Sequence, residues 1–179
     1  VLTFNQAMRD ADVSRAVEYL QVADESARAH MLPIQRSFHL TSIAHIRLQQ
    51  GNLDESLRLY QEAVDLSRRA RHADGLAQSL RMLGELLFAI GRENDALAHL
   101  QEAAQLFAQI EDRDAESVMR HHAALVLERS GEPGALDAWR RVHALAQTAE
   151  DAHAELVALE GIARGARQQG RGDEAINCF

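Results

Sequence analysis

Apolar residues recur three and four positions apart along most of the chain. Between Leu80 and Ala103 the order is Leu80, Leu83, Gly84, Leu87, then Gly91, then Ala96, Leu100 and Ala103. Residues at these spacings share one face of a helix, so the residues on either side of Gly91 each form a stripe. Gly91 interrupts the pattern, and a glycine there can take the positive φ that ends a helix. The stretch predicts two antiparallel helices joined by a tight turn, with small residues in the seam.

The interruption repeats. Ala11, Gly51, Gly91, Gly131 and Gly170 follow one another at 40, 40, 40 and 39 residues, and a fixed period of this length marks an array of like units. The expected units within one repeat domain are 1–32, 33–72, 73–112, 113–151 and 152–179, the first and last incomplete. In the first, a helix carrying Phe4 and Met8 ends near Ala11, and a second runs from about Val13 to Leu32 with Ala16, Leu20 and Ala23 on its stripe. Pro33 then opens the next helix, where its missing N–H costs nothing.

The second unit carries Leu40, Ile43 and Ala44, the turn Gly51-Asn52, and then Ser56, Tyr60 and Ala63. Asp54 and Glu55 at the start of that last helix, and Arg68, Arg69 and Arg71 at its end, suit its dipole. In the third unit, Asp112 or Asp114 caps the helix that follows. The fourth has Ala123, Ala124 and Leu127, then Pro133 at a first helical position, then Ala135, Trp139 and Val142 one residue early, as a one-residue deletion in the turn predicts. The fifth has Leu159, Ile162, Ala163 and Ala166, then Ala175 and Phe179 after Gly170. Gly161 and Gly165 have the spacing of a close helix contact. About ten helices are expected, counting cut ones.

Composition fits this picture. Of 179 residues, 46% are hydrophobic, 26% charged and 4% aromatic, with two prolines, which is the balance of a folded helical protein packed by alanine and leucine. The net charge of −8 disfavours direct nucleic-acid binding, which requires a positive surface. All basic residues are arginine, and a GC-rich bacterial origin is the expectation. The one cysteine, Cys178, excludes an internal disulfide and any multi-cysteine metal site, and a reducing, cytoplasmic setting is expected. No apolar run approaches the ~20 residues of a membrane span. A chain that starts at Val1 without methionine and stops at Phe179 in a predicted helix reads as a piece of something longer.

The motif residues resemble tetratricopeptide repeats. That family's pattern of leucine-glycine followed by alanine and an aromatic is matched by Leu80, Leu83-Gly84, Leu87, Ala96 and Leu100. It is matched again by Leu40, Ile43-Ala44, Ser56 and Tyr60; by Ala123-Ala124, Leu127, Ala135 and Trp139; and by Leu159, Ile162-Ala163, Ala175 and Phe179. The usual period is 34 residues where this chain has 40, and the tryptophan, tyrosine and proline columns are mostly absent. The longer period is similar to the repeats of kinesin light chains and of bacterial peptide-sensing regulators of the Rap type. The resemblance implies an all-α fold: a right-handed α-solenoid, or superhelix, of antiparallel helix hairpins.

It also implies a binding surface, because in this family the first helix of each pair lines a concave face. Opposite the buried stripe lie Phe38, Thr41, His45 and Leu48; Gln78, Arg81, Glu85 and Phe88; Val118, His121, Leu125 and Glu128; and Val157, Glu160, Arg164 and Arg167. Apolar residues mixed with arginine and histidine suit a peptide or helix lying in a groove. The candidate groove residues are Phe38, His45, Arg81, Glu85, Phe88, His121, Leu125 and Arg164. A clamp for chaperone tails is not expected, since His45, Glu85 and Leu125 stand where that subfamily resembles itself in using asparagine and lysine.

Catalytic chemistry has no constellation to support it. Among nine histidines, His121 and His122 point to different helix faces, His39 and His45 diverge, and none forms a metalloprotease pair. His153-Ala154-Glu155 lacks the cysteines of a zinc deaminase. Arg171-Gly172-Asp173 falls in a repeat turn, and Cys178 reads as a packed hydrophobe. No enzyme activity, cofactor or metal is expected. The expected function is a regulatory protein- or peptide-binding scaffold within a larger bacterial protein, with no direct nucleic-acid or membrane partner. The alternative is a sensor for a signalling peptide or small molecule, coupled to an output domain such as a transcription regulator or cyclase. Apolar seams around Phe4 and Phe179 add the expectation of a homodimer.

Overall fold

The computed structural model describes residues 4–168 and 170, with side chains from residue 12 onward. Among the described residues all regular structure is helical. The helices are α1 (Phe4–Ala29), α2 (Pro33–Gln49), α3 (Leu53–Arg69), α4 (Ala73–Ala89), α5 (Glu93–Gln109), α6 (Arg113–Arg129), α7 (Ala135–Ala149) and α8 (Ala152–Gln168). From α2 to α6 each helix has 17 residues and spans about 25 Å. The chain divides into two compact units, Val1–Leu83 and Gly84–Phe179, with the boundary inside α4.

Every turn between these helices reverses the chain by the same device. Gly51, Gly91, Gly131 and Gly170 have φ of 80°, 77°, 68° and 72°. Around Gly51, the Asn52 N–H donates to the Arg47 carbonyl (2.8 Å) and the Gly51 N–H to the Leu48 carbonyl (2.9 Å). This pair of bonds satisfies carbonyls that the helix end would orphan. Met31, Arg71, Glu111 and Glu150 take the same conformation, with φ of 54°, 53°, 63° and 55°, and the same bonds close their turns. A left-handed residue thus ends every second helix without glycine, at about 1 kcal/mol each.

Side-chain caps follow three of these four glycine-free turns, the exception being Leu32 after Met31. His72 Nδ1 accepts from the Gly75 N–H (2.9 Å), Asp112 accepts from the Ala115 N–H (3.1 Å), and Asp151 accepts from the N–H groups of His153 and Ala154 (3.1 and 3.0 Å). Asn52, Arg92 and Gly134, which follow the glycine turns, make no such bond.

In the first unit, α2 packs on α3 and α1 packs on α2. Leu40, Ile43 and Ala44 are buried on α2, and Leu59, Tyr60, Ala63 and Val64 on α3. Arg36 ties the three helices together, donating from Nε to Asp24 and from Nη2 to Glu62, both at 3.0 Å. Burial works against the Arg36 charge, but the bonds and attraction of Asp24 and then Glu62 outweigh it and hold its pKa above the ordinary value.

In the second unit, α5 packs on α6, α6 on α7 and α7 on α8. Ala96, Leu100, Ala103 and Phe107 are fully enclosed on α5, and Gly84 lets the Leu100 side chain approach to 2.9 Å from where a Cβ would stand. The glycine pair of α8 serves close packing as expected. A Cβ on Gly161 would overlap the Trp139 indole, and one on Gly165 would touch Leu136 at 3.4 Å.

Several expectations need correction. Ala11 ends no helix: α1 runs unbroken from Phe4 to Ala29, as alanine, the strongest helix former, would allow. On α1 the buried residues are Val17 and Ala27, while Ala16 is exposed and Leu20 and Ala23 are half-buried, because α2 is the helix that α1 meets. Arg71 lies past the end of α3, in the left-handed turn. Pro133 precedes α7; it sits in a turn closed by the Ala135 N–H on the Glu132 carbonyl (3.1 Å), a second position that proline's fixed φ suits. The two helices expected before Leu32 are the single α1, so eight helices lie among the described residues; the one expected after Gly170 lies outside them. The side chains of Phe4, Asn5 and Met8, the Arg171-Gly172-Asp173 turn, Ala175, Cys178 and Phe179 lie outside them.

Candidate functional site

The second unit contains a cleft of ≈ 600 Å³ between the N-terminal halves of α6 and α8, floored by the C-terminal half of α7. The equal lengths and constant period set this arrangement, because α6 and α8 are first helices of neighbouring hairpins and α7 lies between them in the chain. Val142 and Ala146 form a buried floor, and Val118, 45% exposed, forms a wall. Such a volume with an apolar base is in the range of small-ligand and short-segment sites.

His121 lines the cleft and leans on Trp139, with ring centroids 5.3 Å apart and planes at 54°. Burial lowers its pKa below 6.5, and the neighbouring charges of His122, Arg164 and His153 lower it further. Farther along α6, Glu128 gathers two donors. Trp139 Nε1 donates to Oε2 at 2.8 Å, while Arg164 Nε donates to Oε1 at 2.6 Å and Nη2 to Oε2 at 3.2 Å. The guanidinium also lies over the Trp139 ring, 5.8 Å from its centroid. The hydrogen bond that Arg164 donates to Glu128 raises its pKa, burial opposes this, and the charges of Glu128 and Glu160 add to the rise. Glu128 is 12% exposed and Arg164 46%, so the carboxylate is anchored and the guanidinium reaches solvent.

A second aromatic group lies on the same helix. His122 stacks on Phe88 at 5.7 Å and 25°. Arg129 lies 5.3 Å over the Phe88 ring and pairs with Glu93 at 2.7 Å. The adjacent histidines therefore serve different neighbours, although their own centroids are 5.9 Å apart. Another hollow, ≈ 540 Å³, opens between α5 and α7, where polar residues such as Gln101, Gln105 and Arg141 dominate. Its Arg120 is held by Glu116 at 2.7 Å.

The candidate residues fall into two sets. In the second unit, His121 and Arg164 meet at Trp139, Leu125 packs against the buried cluster that contains Trp139, Phe88 belongs to the neighbouring aromatic group, and Glu85 is half-buried. In the first unit, Phe38 is 42% exposed and sets its ring edge to His72 at 6.1 Å. There His45 accepts from the Gln49 amide (3.1 Å), and Arg81 donates to Gln78 (3.1 Å), so these three engage separate neighbours. Sequence reasoning placed Glu128 on this face without its role, and read Trp139 only as core. The available signal was the 36-residue interval from Glu128 to Arg164, one helical turn short of the repeat. Among the described residues, no group of three or more histidine, cysteine or acidic side chains is placed to hold a metal. No described helix is long and apolar enough to cross a membrane.

Paired helices of constant length and period, with a cleft between first helices, define a helical-hairpin repeat protein. Within it, residues 36–109 match the family described as Tetratricopeptide repeat. The fold is shared with the nearly identical tetratricopeptide-like repeats of a kinesin light chain from Podosopora anserina, at 17% identity over 95% of this chain and 84% of that one (TM-score 0.72). It is shared with the apo form of RapI, at 10% identity (TM-score 0.77), over 96% of this chain and 48% of RapI. A Rap protein solved with competence and sporulation factor is similar at 14% identity (TM-score 0.60), over 96% and 48%. The chain thus spans about half the length of the Rap proteins it matches. Among curated proteins no sequence matches significantly.

Proposed function

We propose that this chain is a non-catalytic scaffold that binds a protein or peptide segment, and that the α6–α8 cleft of the second unit is its docking site. The observation that carries the reading is the cleft itself: an apolar floor, an exposed valine wall, and an aromatic-arginine-carboxylate group beside it. A segment laid there would bury a side chain against Val118 and Val142 and find polar partners at His121 and Arg164. Phe38, His45 and Arg81 belong to the reading as contacts on the first unit. The setting we propose is a regulatory module of a larger bacterial protein in the cytoplasm, without a nucleic-acid or membrane partner of its own, and able to pair as a homodimer.

A peptide array probed with the wild-type chain and with Val118→Asp tests this. Val118 is exposed enough for the variant to fold, so loss of the wild-type signals supports the cleft, and unchanged signals count against it. The second reading, a sensor coupled to an output domain such as a transcription regulator or cyclase, is favoured by the likeness to a Rap protein solved with a signalling factor. Under that reading the ligand alters the helix packing that an output domain reads.

A further inference from the structure

The rim of the α6–α8 cleft is asymmetric in charge. At the end formed by the starts of α6 and α8, Asp114, Glu150 and Asp151 face Arg113 alone. Asp114 and Glu150 are exposed, whereas Asp151 is occupied in capping α8. Outside the lining, farther along α6 and α8, the Arg164 charge is answered by Glu128. His121, which lines the cleft, has its pKa lowered first by burial and then by the charges near it. The cleft therefore offers an apolar floor under a net negative rim, with no uncompensated cation deep inside.

Resting on the peptide-binding reading above, we infer that the occupant of this cleft is a basic, apolar-anchored peptide segment. Its apolar side chain sits on Val142 and against Val118, and its guanidinium or ammonium group is placed next in sequence, over Asp114 and Glu150. Complementarity of this kind selects among partners more than it sets raw affinity. A segment carrying carboxylates would meet three like charges at the rim and, beyond them, an arginine that is already paired.

Calorimetric titration with two short probes decides the matter: acetyl-Leu-Arg-Val-Arg-amide and acetyl-Leu-Glu-Val-Glu-amide, at low and at physiological salt. The basic probe is expected to bind at least about tenfold more tightly than the acidic one, with the gap narrowing as salt screens the rim. Asp114→Asn with Glu150→Gln, both exposed and checked for unchanged helicity by circular dichroism, should remove most of that gap. Equal binding of the two probes, or preference for the acidic one, overturns the charge assignment and leaves the cleft as a docking site. Failure of both probes to bind overturns the assignment together with the docking reading.

Discussion

Two arginines organise this molecule in different ways. Arg36 is 13% exposed and divides its guanidinium between Asp24 on α1 and Glu62 on α3. Arg164 is 46% exposed and gives both of its bonds to one carboxylate, while its plane covers Trp139. The first joins three helices and leaves little of itself to solvent. The second is fixed from below and faces outward. The same residue type is a staple where partners surround it and a candidate contact where one anchored carboxylate only aims it. The difference lies in burial and in the number of carboxylates engaged, since both have a raised pKa.

The sharpest way to break this contrast is to delete each side chain in turn. Arg36→Ala leaves Asp24 and Glu62 without their partner at a partly buried junction, and should lower the unfolding free energy by about 2–3 kcal/mol, somewhat below the loss for a fully buried pair. Urea denaturation measures it. A loss no larger than that of an exposed pair would remove the distinction.

The next test concerns what holds Trp139 under Arg164. Gly161→Ala drives a methyl group into the indole, and overpacking of this kind costs about 1–3 kcal/mol. Gly165→Ala, with ordinary contact at Leu136, should cost distinctly less, so the pair separates collision from loss of glycine as such. Nearly equal midpoints in urea would mean that the indole moves aside freely.

Acidification addresses His121 in the second region. The folded pKa of His121 lies below 6.5, so the unfolded chain takes up this proton first as pH falls. The stability that depends on neutral His121 is whole above about pH 6.5 and is lost progressively below it, down to the folded value. In His121→Gln that part of the slope should vanish, as read from thermal midpoints between pH 7.5 and 5. An unchanged slope would place the titrating group elsewhere. The smallest expected effect is Arg164→Ala, at about 1 kcal/mol or less, as for an exposed ion pair, yet it should weaken peptide binding. A large stability loss with intact binding would turn Arg164 into a second Arg36.

The helix pattern was legible because burial of one face repeats at three and four residues, and because Gly51, Gly91 and Gly131 mark turns by a property no other residue has. The alternate turns were not marked. Met31, Arg71 and Glu111 have no preference for positive φ, and they adopt it because packing of the helices on either side, and caps such as Asp112, outweigh the local cost. Ala11 misled for the converse reason: its place in the series suggested a turn, but alanine continues a helix. The cleft face could be picked by spacing, which put Val118, His121 and Val157 on it. The bond network was hidden, because Glu128, Trp139 and Arg164 come from three helices and no local pattern joins them. The acidic rim was hidden as well, since Asp114 read only as a helix cap and the cleft that sets it beside Glu150 is visible only in the fold.

The most direct test of the docking account is hydrogen–deuterium exchange of the chain with and without the tightest peptide from the array. The account predicts slowed exchange concentrated in residues 113–121 and 152–160, the two walls of the cleft. Protection confined to other helices, or spread evenly over the second unit, would contradict it.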